Sequence, residues 1–356
     1  MEEAKCLLYL PLEKCKSSFK MEVAVCNHGF FMMAPNKWIP STKSLQRPLR
    51  LMDQSSSVIV TISHPPQDAN LHIHVHDTQV LSSENQRAIL AQVARMLRIS
   101  DKDEKAVNVF QDLCPPAKEE GFGRIFRSPS LFEDVVKSIL LCGSTWKQSL
   151  DMTKSLCELQ LQLSRGPQRD LENRKENEER TRQLTSKRFH EIGNFPNSKE
   201  LAKFSETDLR KQCTTLGFRA RYIISLAQRA ESGTHLIEKL EKECDLYSYQ
   251  GVRRILSTLK GFGPFTIATT LMCLGCYQKI PADSETTRHL KQVHGKSRCN
   301  SRTVAKDAEE IYKKYAPFQF ELLQSYEKDH GKLSELDASK YPRITASWFS
   351  QADNTS

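Results

Sequence analysis

The part of the sequence that most constrains the fold is residues 259–266, where two glycines and a proline separate two apolar segments. Before them, residues 252–256 have the apolar spacing of a helix. After them, the apolar residues of 268–275 repeat at intervals of three and four, as on the buried face of a second helix. Gly261 and Gly263 permit backbone angles that side chains forbid. The sequence therefore predicts two helices joined by a tight hairpin.

The same hairpin has the chemistry of a phosphate-binding site. Pro264 suits the first position of the second helix, and a helix N-terminus presents unpaired backbone N–H groups to an anion. Eight Lys and Arg residues lie between Gly251 and Asn300, against only Asp283 and Glu285. The whole chain has a net charge of +9. Because the excess is concentrated in one segment, it indicates a polyanionic partner.

The hairpin is followed, after an apolar run, by Pro281-Ala282-Asp283 and by the residues Thr-Thr-Arg-His at 286–289. This order resembles the helix-hairpin-helix (HhH-GPD) DNA glycosylase superfamily. Three further segments, 123–126, 216–222 and 315–318, resemble the 8-oxoguanine glycosylase branch. The resemblance covers roughly residues 20 to 335 in order, and such agreement along the chain outweighs any single motif.

The resemblance implies an α+β fold, with an N-terminal antiparallel β domain followed by an all-α, two-lobed glycosylase domain. We place the β-rich domain at 20–110, the helical domain at 111–335 and a polar tail at 336–356. A charged insertion or linker occupies about 165–191, where opposing charges nearly cancel. Independently of the resemblance, residues 58–62 and 71–76 have the composition and alternation of strands.

Three histidines alternate with apolar residues in the second of these strands, at His72, His74 and His76. A metal site is one interpretation of this spacing. The polar face of a half-buried antiparallel strand explains the same alternation without a metal, so we predict none.

Asp283 matches the catalytic aspartate of the superfamily in position. Cleavage of the bond between base and sugar builds positive charge on the sugar, which a carboxylate stabilises while it orients the attacking water. The alternative interpretation is a plain N-cap of the following helix, since Asp is a favoured cap. The two roles are compatible.

The resemblance also implies residues that contact DNA or the extruded base. Phe218 and Arg219 match the pair that fills the emptied stack and contacts the orphaned base, although a core phenylalanine and a surface arginine are equally compatible with the sequence. Ser144 lies where relatives have an asparagine-rich loop. The full predicted set is Lys260, Gly261, Gly263, Thr266, Phe218, Arg219, Arg288 and Ser144 for DNA, and Phe265 and Phe318 for the base pocket.

Two departures from the superfamily pattern bear on activity. Bifunctional relatives carry a Schiff-base lysine where this chain has Phe265, and a phenyl ring is no nucleophile, so we predict a monofunctional enzyme. Residues 26–31 replace the motif through which 8-oxoguanine enzymes recognise their lesion. The lesion is therefore open, with an 8-oxoguanine-like and an alkylated purine as the candidates.

The eleven cysteines are scattered along the chain. Cys273 and Cys276 form the C-x-x-C pair, and of the cysteines only Cys299 lies beyond Asp283, so four ligands for an iron–sulfur cluster cannot be assembled locally. We predict reduced thiols and no cofactor.

The leading hypothesis is a DNA N-glycosylase of base excision repair that acts as a monomer on double-stranded DNA containing a damaged base. Nuclear localisation is expected from the reaction, and no apolar run approaches the length of a membrane span. The alternatives are a non-catalytic binder of damaged or structured DNA, and a basic surface for an acidic protein.

Overall fold

The computed structural model describes residues 6–13, 15, 19–165, 193–244, 249–313 and 316–317. Phe318, the predicted polar tail and all but the first residue of the predicted charged insertion lie outside the described residues.

The N-terminal part of the chain forms a five-stranded antiparallel sheet with the order β1-β5-β4-β3-β2. Its strands are β1 (Cys6–Pro11), β2 (Lys37–Ile39), β3 (Ser44–Arg50), β4 (Ser57–Ser63) and β5 (Asn70–Val75). The two predicted strands correspond to β4 and β5, which pair directly with Ile62 opposite Ile73.

Strand β5 shows why the alternation predicts its orientation. Leu71, Ile73 and Val75 are buried in the core, as expected for one face of a half-buried strand. On the other face, Nε2 of His72 lies 2.8 Å from Oδ2 of Asp68. Nε2 of His76 lies 2.8 Å from Oγ1 of Thr61. No group of three or more His, Cys, Asp or Glu side chains is arranged to hold a metal ion anywhere in the described residues.

The rest of the described chain is helical. The helices are α1 (Met21–Val25), α2 (Ser83–Met96), α3 (Asp101–Leu113), α4 (Pro115–Glu120), α5 (Leu131–Leu141), α6 (Trp146–Arg165), α7 (Ser198–Leu201), α8 (Glu206–Gln212), α9 (Arg219–Glu231), α10 (Leu236–Glu243), α11 (Gln250–Ser257), α12 (Pro264–Leu274), α13 (Ser284–Val293) and α14 (Val304–Tyr312). The predicted α+β class, with an antiparallel β domain before the helices, is confirmed.

The described residues form two hydrophobic cores. The first core lies between the sheet and helices α2, α3, α13 and α14. The second core is formed by the consecutive helices α5 through α11. Helix α12 contributes to both, with Met272 and Cys273 in the first core and Leu271 and Leu274 in the second. The second helix of the hairpin is therefore the element that the two lobes share.

Helix α5 begins with Ser130 as its N-cap, in a Ser-x-x-Glu sequence that is typical of a capping box. Oγ of Ser130 accepts a hydrogen bond from the backbone N–H of Glu133, as in that motif. The Glu133 carboxylate does not return to the Ser130 backbone, because it pairs with Arg47 of β3 at 3.0 Å and with Lys137 at 2.7 Å. Against the opposing effect of burial, these two cations lower its pKa to about 2. The buried trio ties the sheet to α5.

Two arginines, Arg98 buried and Arg127 half-buried, hold the C-terminal end of α12. Nη2 of Arg98 donates to the carbonyl oxygens of Met272 and Cys273, at 2.8 and 3.3 Å. Nη1 of Arg127 also donates to Cys273, at 2.9 Å. The last carbonyls of a helix lack partners within the helix and carry partial negative charge. The two guanidinium groups supply hydrogen-bond donors to these carbonyls and positive charge beside them.

Two cysteines from distant parts of the chain lie next to each other. Sγ of Cys244, at the end of α10, lies beside Sγ of Cys276, after α12, with 7.3 Å between their Cα atoms. Gly275, with a φ of +90°, ends α12 and turns the chain toward the second core, where both cysteines are buried. Their sequence separation of 32 residues explains why no local motif indicates the pair. The other nine cysteines form no such pair.

Candidate functional site

The predicted hairpin is formed by α11 and α12, joined through residues 258–263. Gly261 has a φ of +85°, and a Cβ built on it would lie 2.5 Å from Cγ of Tyr222. Both its backbone angle and its packing against that ring therefore require glycine. Gly263 differs, since it has a φ of −90° and a Cβ there would meet nothing within 4 Å. No contact within the described protein requires a glycine at position 263.

The N-terminus of α12 is open. Gly263 is its N-cap and offers no side-chain hydrogen bond, and Pro264 occupies the first turn as predicted. Lys260 is exposed, and Phe265, five residues later, is half-buried. Thr266 is fully buried, and its Oγ1 has no hydrogen-bond partner among the described residues. Backbone N–H groups at such a helix end are suited to binding an anion.

Asp283 is the N-cap of α13. Its Oδ1 accepts a hydrogen bond of 2.7 Å from the backbone N–H of Thr286. Oγ1 of Thr286 in turn donates to the Pro281 carbonyl at 2.6 Å. Burial raises the pKa of Asp283, and the hydrogen bonds from Thr286 oppose that rise. A half-buried carboxylate in a fixed orientation is therefore present at this position.

Phe218 and Arg219 occupy positions opposite to those of a core phenylalanine and a surface arginine. Phe218 is 53% exposed, although a core residue of its size would be buried. Arg219 is only 7% exposed, and its Nη2 donates to the Cys142 carbonyl at 2.6 Å. Its guanidinium lies 4.6 Å from the centre of the Phe218 ring. The exposed Phe218 ring therefore packs against the Arg219 guanidinium, which is fixed by its hydrogen bond to the Cys142 carbonyl.

Tyr222 connects this pair to the hairpin. Its ring lies edge-on to Phe218, with 6.1 Å between the ring centres, and it forms the surface against which Gly261 packs. The structure therefore brings the predicted DNA-stacking residue and the predicted phosphate-binding hairpin onto one continuous surface. Sequence reasoning did not assign a role to Tyr222, although the glycine requirement at 261 is a signal of close packing there.

Ser144 and Arg288 form hydrogen bonds within the protein. Oγ of Ser144 donates to the Leu140 carbonyl at 2.6 Å and lies 2.8 Å from Oγ of Ser149. Nε of Arg288 donates to Glu285 at 2.9 Å, and its Nη1 donates to Gln292 at 2.7 Å. Both side chains are engaged by their own helix or its neighbouring turn. Their predicted roles at DNA are not tested by these contacts.

Asn27 is a buried residue that sequence reasoning missed. Its Nδ2 donates to the carbonyls of Val23 and Arg124, and its Oδ1 accepts from the backbone N–H of Phe126. It holds the 26–31 segment, which departs from the motif of the 8-oxoguanine enzymes, against the 123–126 segment, which resembles that branch. Nothing in the local pattern distinguishes a buried asparagine from an exposed one.

The fold is that of the DNA glycosylases. The chain is similar to the 3-methyladenine DNA glycosylase from Archaeoglobus fulgidus, with a TM-score of 0.59 and 15% identity over 89% of this chain and 96% of that one. It is also similar to the 8-oxoguanine glycosylase/lyase of Clostridium acetobutylicum in complex with double-stranded DNA containing cytosine opposite 8-oxoguanine, with a TM-score of 0.57 and 14% identity over 88% of this chain and 92% of that one.

The apo form of the same clostridial protein gives a TM-score of 0.53 at 14% identity, over 87% of this chain and 92% of that one. No family model matches the sequence, and no curated protein matches it. At these identities the comparisons establish the fold, which agrees with the resemblance read from the sequence. Within the described residues, no helix is both long enough and apolar enough to cross a membrane.

Proposed function

We propose that the protein is a DNA N-glycosylase that rotates a damaged purine out of the duplex and hydrolyses its bond to the sugar. The observation that carries this proposal is the arrangement of Asp283, a half-buried carboxylate held by a cap hydrogen bond and following the open hairpin within the glycosylase fold. We further propose that it acts as a monomer in the nucleus, on double-stranded DNA.

In the proposed reaction, extrusion of the base costs a few kcal/mol of stacking and pairing. Phe218 fills the emptied stack, for which its exposure suits it. The open N-terminus of α12 binds a backbone phosphate, and the absence of a side chain at Gly263 permits close approach. Asp283 then stabilises positive charge on the sugar and orients water. Because its surroundings are desolvated, that stabilisation exceeds what it would be in water.

The proposed enzyme is monofunctional. Phe265 stands where bifunctional relatives carry the lysine that forms a Schiff base, and it lies at the second residue of α12. The product is then an abasic site in an uncut strand. The substrate is a damaged purine, either 8-oxoguanine-like or alkylated, and the two named neighbours act on one of each kind.

The test compares wild type with Asp283→Asn on duplexes that contain 8-oxoguanine, 3-methyladenine, uracil or adenine opposite 8-oxoguanine. Asparagine is as good an N-cap as aspartate, so we expect a folded variant that binds DNA and releases no base. Glu285→Gln is the matched control, since that neighbouring carboxylate is exposed and should be dispensable. Base release by Asp283→Asn at the wild-type rate would refute the assignment.

Strand cutting provides the test of the monofunctional proposal. We expect nicked product only after alkali or heat. A nick formed by the protein alone would contradict the proposal for Phe265 without affecting that for Asp283.

A second candidate function is a non-catalytic binder of damaged or structured DNA. The observation that favours it is the engagement of Arg219 with the Cys142 carbonyl, which leaves that guanidinium buried rather than offered to an orphaned base. Salt-sensitive duplex binding with no base release across the whole panel would support this candidate over the first.

A further inference from the structure

A surface groove lies beside the hairpin, at the junction of α9, α10 and α11. Its larger cavity has a volume of about 310 Å³ and is lined on its apolar side by Leu236 and Ile255. Three exposed cationic side chains also line it, from Arg229, Lys239 and Arg254. No Asp or Glu is among the described residues that form this cavity.

The positive charges of the groove are poorly compensated by the protein. The Arg254 side chain makes no hydrogen bond or ion pair with the described residues. Nη2 of Arg229 donates to the neutral hydroxyl of Thr258 at 3.2 Å. Nζ of Lys239 lies 3.6 Å from a carboxylate oxygen of the exposed Glu243, and such surface pairs contribute little. Like charges clustered around a concave surface attract an anion.

The groove continues to the hairpin. A second, smaller cavity of about 90 Å³ shares Arg229 and Thr258 with the first and reaches Lys260 and Phe262. Its remaining wall includes Tyr222, the ring against which Gly261 packs. We call the two cavities together the basic groove. One end of this groove is therefore the same hairpin that presents the open N-terminus of α12.

The distribution of the cations over two adjoining cavities favours a row of phosphates over a single small anion. Arg229, Lys239 and Arg254 line the larger cavity, and Lys260 lines the smaller one. A free phosphate ion would occupy only one of the two cavities. One strand of duplex DNA carries a phosphate about every 3.4 Å along its axis, so a DNA backbone can contact the cations of both.

We propose that the basic groove binds the phosphodiester backbone of DNA beyond the phosphates that the hairpin itself contacts. The choice of DNA as the polyanion rests on the proposed function, whereas the binding does not depend on base release. The groove lengthens the contact with undamaged duplex next to the lesion, and it contributes affinity without sequence or damage specificity.

The test uses the full chain with three groove substitutions combined, Arg229→Gln, Lys239→Gln and Arg254→Gln. The matched control combines Lys105→Gln, Lys211→Gln and Arg302→Gln, which remove the same charge from exposed positions outside both cavities. Affinity for an undamaged duplex is measured by fluorescence anisotropy over a range of KCl concentrations, and thermal unfolding verifies that both variants are folded.

We expect the slope of log affinity against log salt concentration to become shallower by about 0.9 for each cation removed, about 2.7 for the groove variant. The control should keep the wild-type slope. Equal slopes for the groove variant and the control would overturn the proposal. So would loss of polyglutamate binding with unchanged duplex binding, since the groove would then serve an acidic protein.

Base release measured at saturating protein separates this proposal from the proposed function. If the wild-type protein releases no base but the groove variant shows the shallower salt dependence, the groove binds DNA as proposed and the protein is not a glycosylase. A protein that releases base, with a groove variant equal to the control in binding, is a glycosylase without this extended contact.

Discussion

The two hairpin glycines provide a sharp prediction, because the structure requires glycine at one of them and not at the other. In Gly261→Ala, a residue with a φ of +85° gains a Cβ that would lie 2.5 Å from the Tyr222 ring. The left-handed backbone costs about 1–2 kcal/mol for a non-glycine residue. Overpacking against a ring costs about 1–3 kcal/mol more. We therefore expect the free energy of unfolding to fall by about 2–5 kcal/mol.

Gly263→Ala is the matched variant. Its φ of −90° is ordinary, and the added methyl group would meet nothing within 4 Å. Reduced freedom of the unfolded chain favours the variant by up to about 1 kcal/mol, whereas alanine is a poorer N-cap than glycine, so the two effects should nearly cancel and leave the free energy of unfolding within about 1 kcal/mol of wild type. If a phosphate approaches this backbone as proposed, the same methyl group should weaken duplex binding. Gly263→Ala thus separates binding from folding, which Gly261→Ala does not.

The assay is urea unfolding followed by circular dichroism at one temperature, combined with anisotropy measurements of duplex affinity. Gly261→Ala with an unfolding midpoint equal to that of wild type would refute the packing argument. Gly263→Ala with wild-type affinity would refute the proposed close approach of a phosphate. Gly261→Ala should lower the free energy of unfolding by less when it is made in a Tyr222→Ala background than in wild type. In that background the ring is already absent, so only the cost of the left-handed backbone remains.

Two further predictions concern buried charge. The folded-state pKa of Glu133, about 2, lies below its ordinary value of 4.5, so the stability it contributes is present above pH 4.5 and lost as pH falls toward 2. Urea unfolding between pH 5 and 3 should therefore show a smaller decrease in the free energy of unfolding for Glu133→Gln than for wild type. Parallel pH profiles for the two proteins would contradict this. Arg98→Met should lower the free energy of unfolding by about 3–5 kcal/mol, since it removes the donor to the buried Ile125 carbonyl, one of two donors to Met272 and to Cys273, and a cation that pairs with Asp103. Its control, Arg87→Met, removes an exposed ion pair with Glu84 and should cost less than about 1 kcal/mol in the same measurement; equal losses in the two variants would refute the capping argument.

The elements that could be predicted from the sequence are those set by local chemistry. The hairpin follows from two glycines and a proline between apolar segments, and β5 follows from strict alternation. The capping role of Asp283 likewise depends on residues within one helical turn. In each case the determining residues are near neighbours along the chain.

The features that could not be predicted depend on contacts between distant segments. The carboxylate of Glu133 leaves its expected cap because Arg47 reaches it from a strand 86 residues away in sequence. Arg219 is buried because Cys142, 77 residues before it, presents a free carbonyl. The Cys244–Cys276 pair joins segments that are 32 residues apart, and Gly275 ends α12 just before the second cysteine. A pattern of residue types contains no information about which distant partner a charge or thiol will meet.

The position of α12 between the two cores has a mechanical consequence. Its residues pack into both lobes, and its far end is gripped by guanidinium groups from the first lobe. Within the described residues, the second helix of the hairpin is therefore anchored in both lobes. In the proposed reaction, the DNA duplex therefore bends against a hairpin that the packing of both lobes supports.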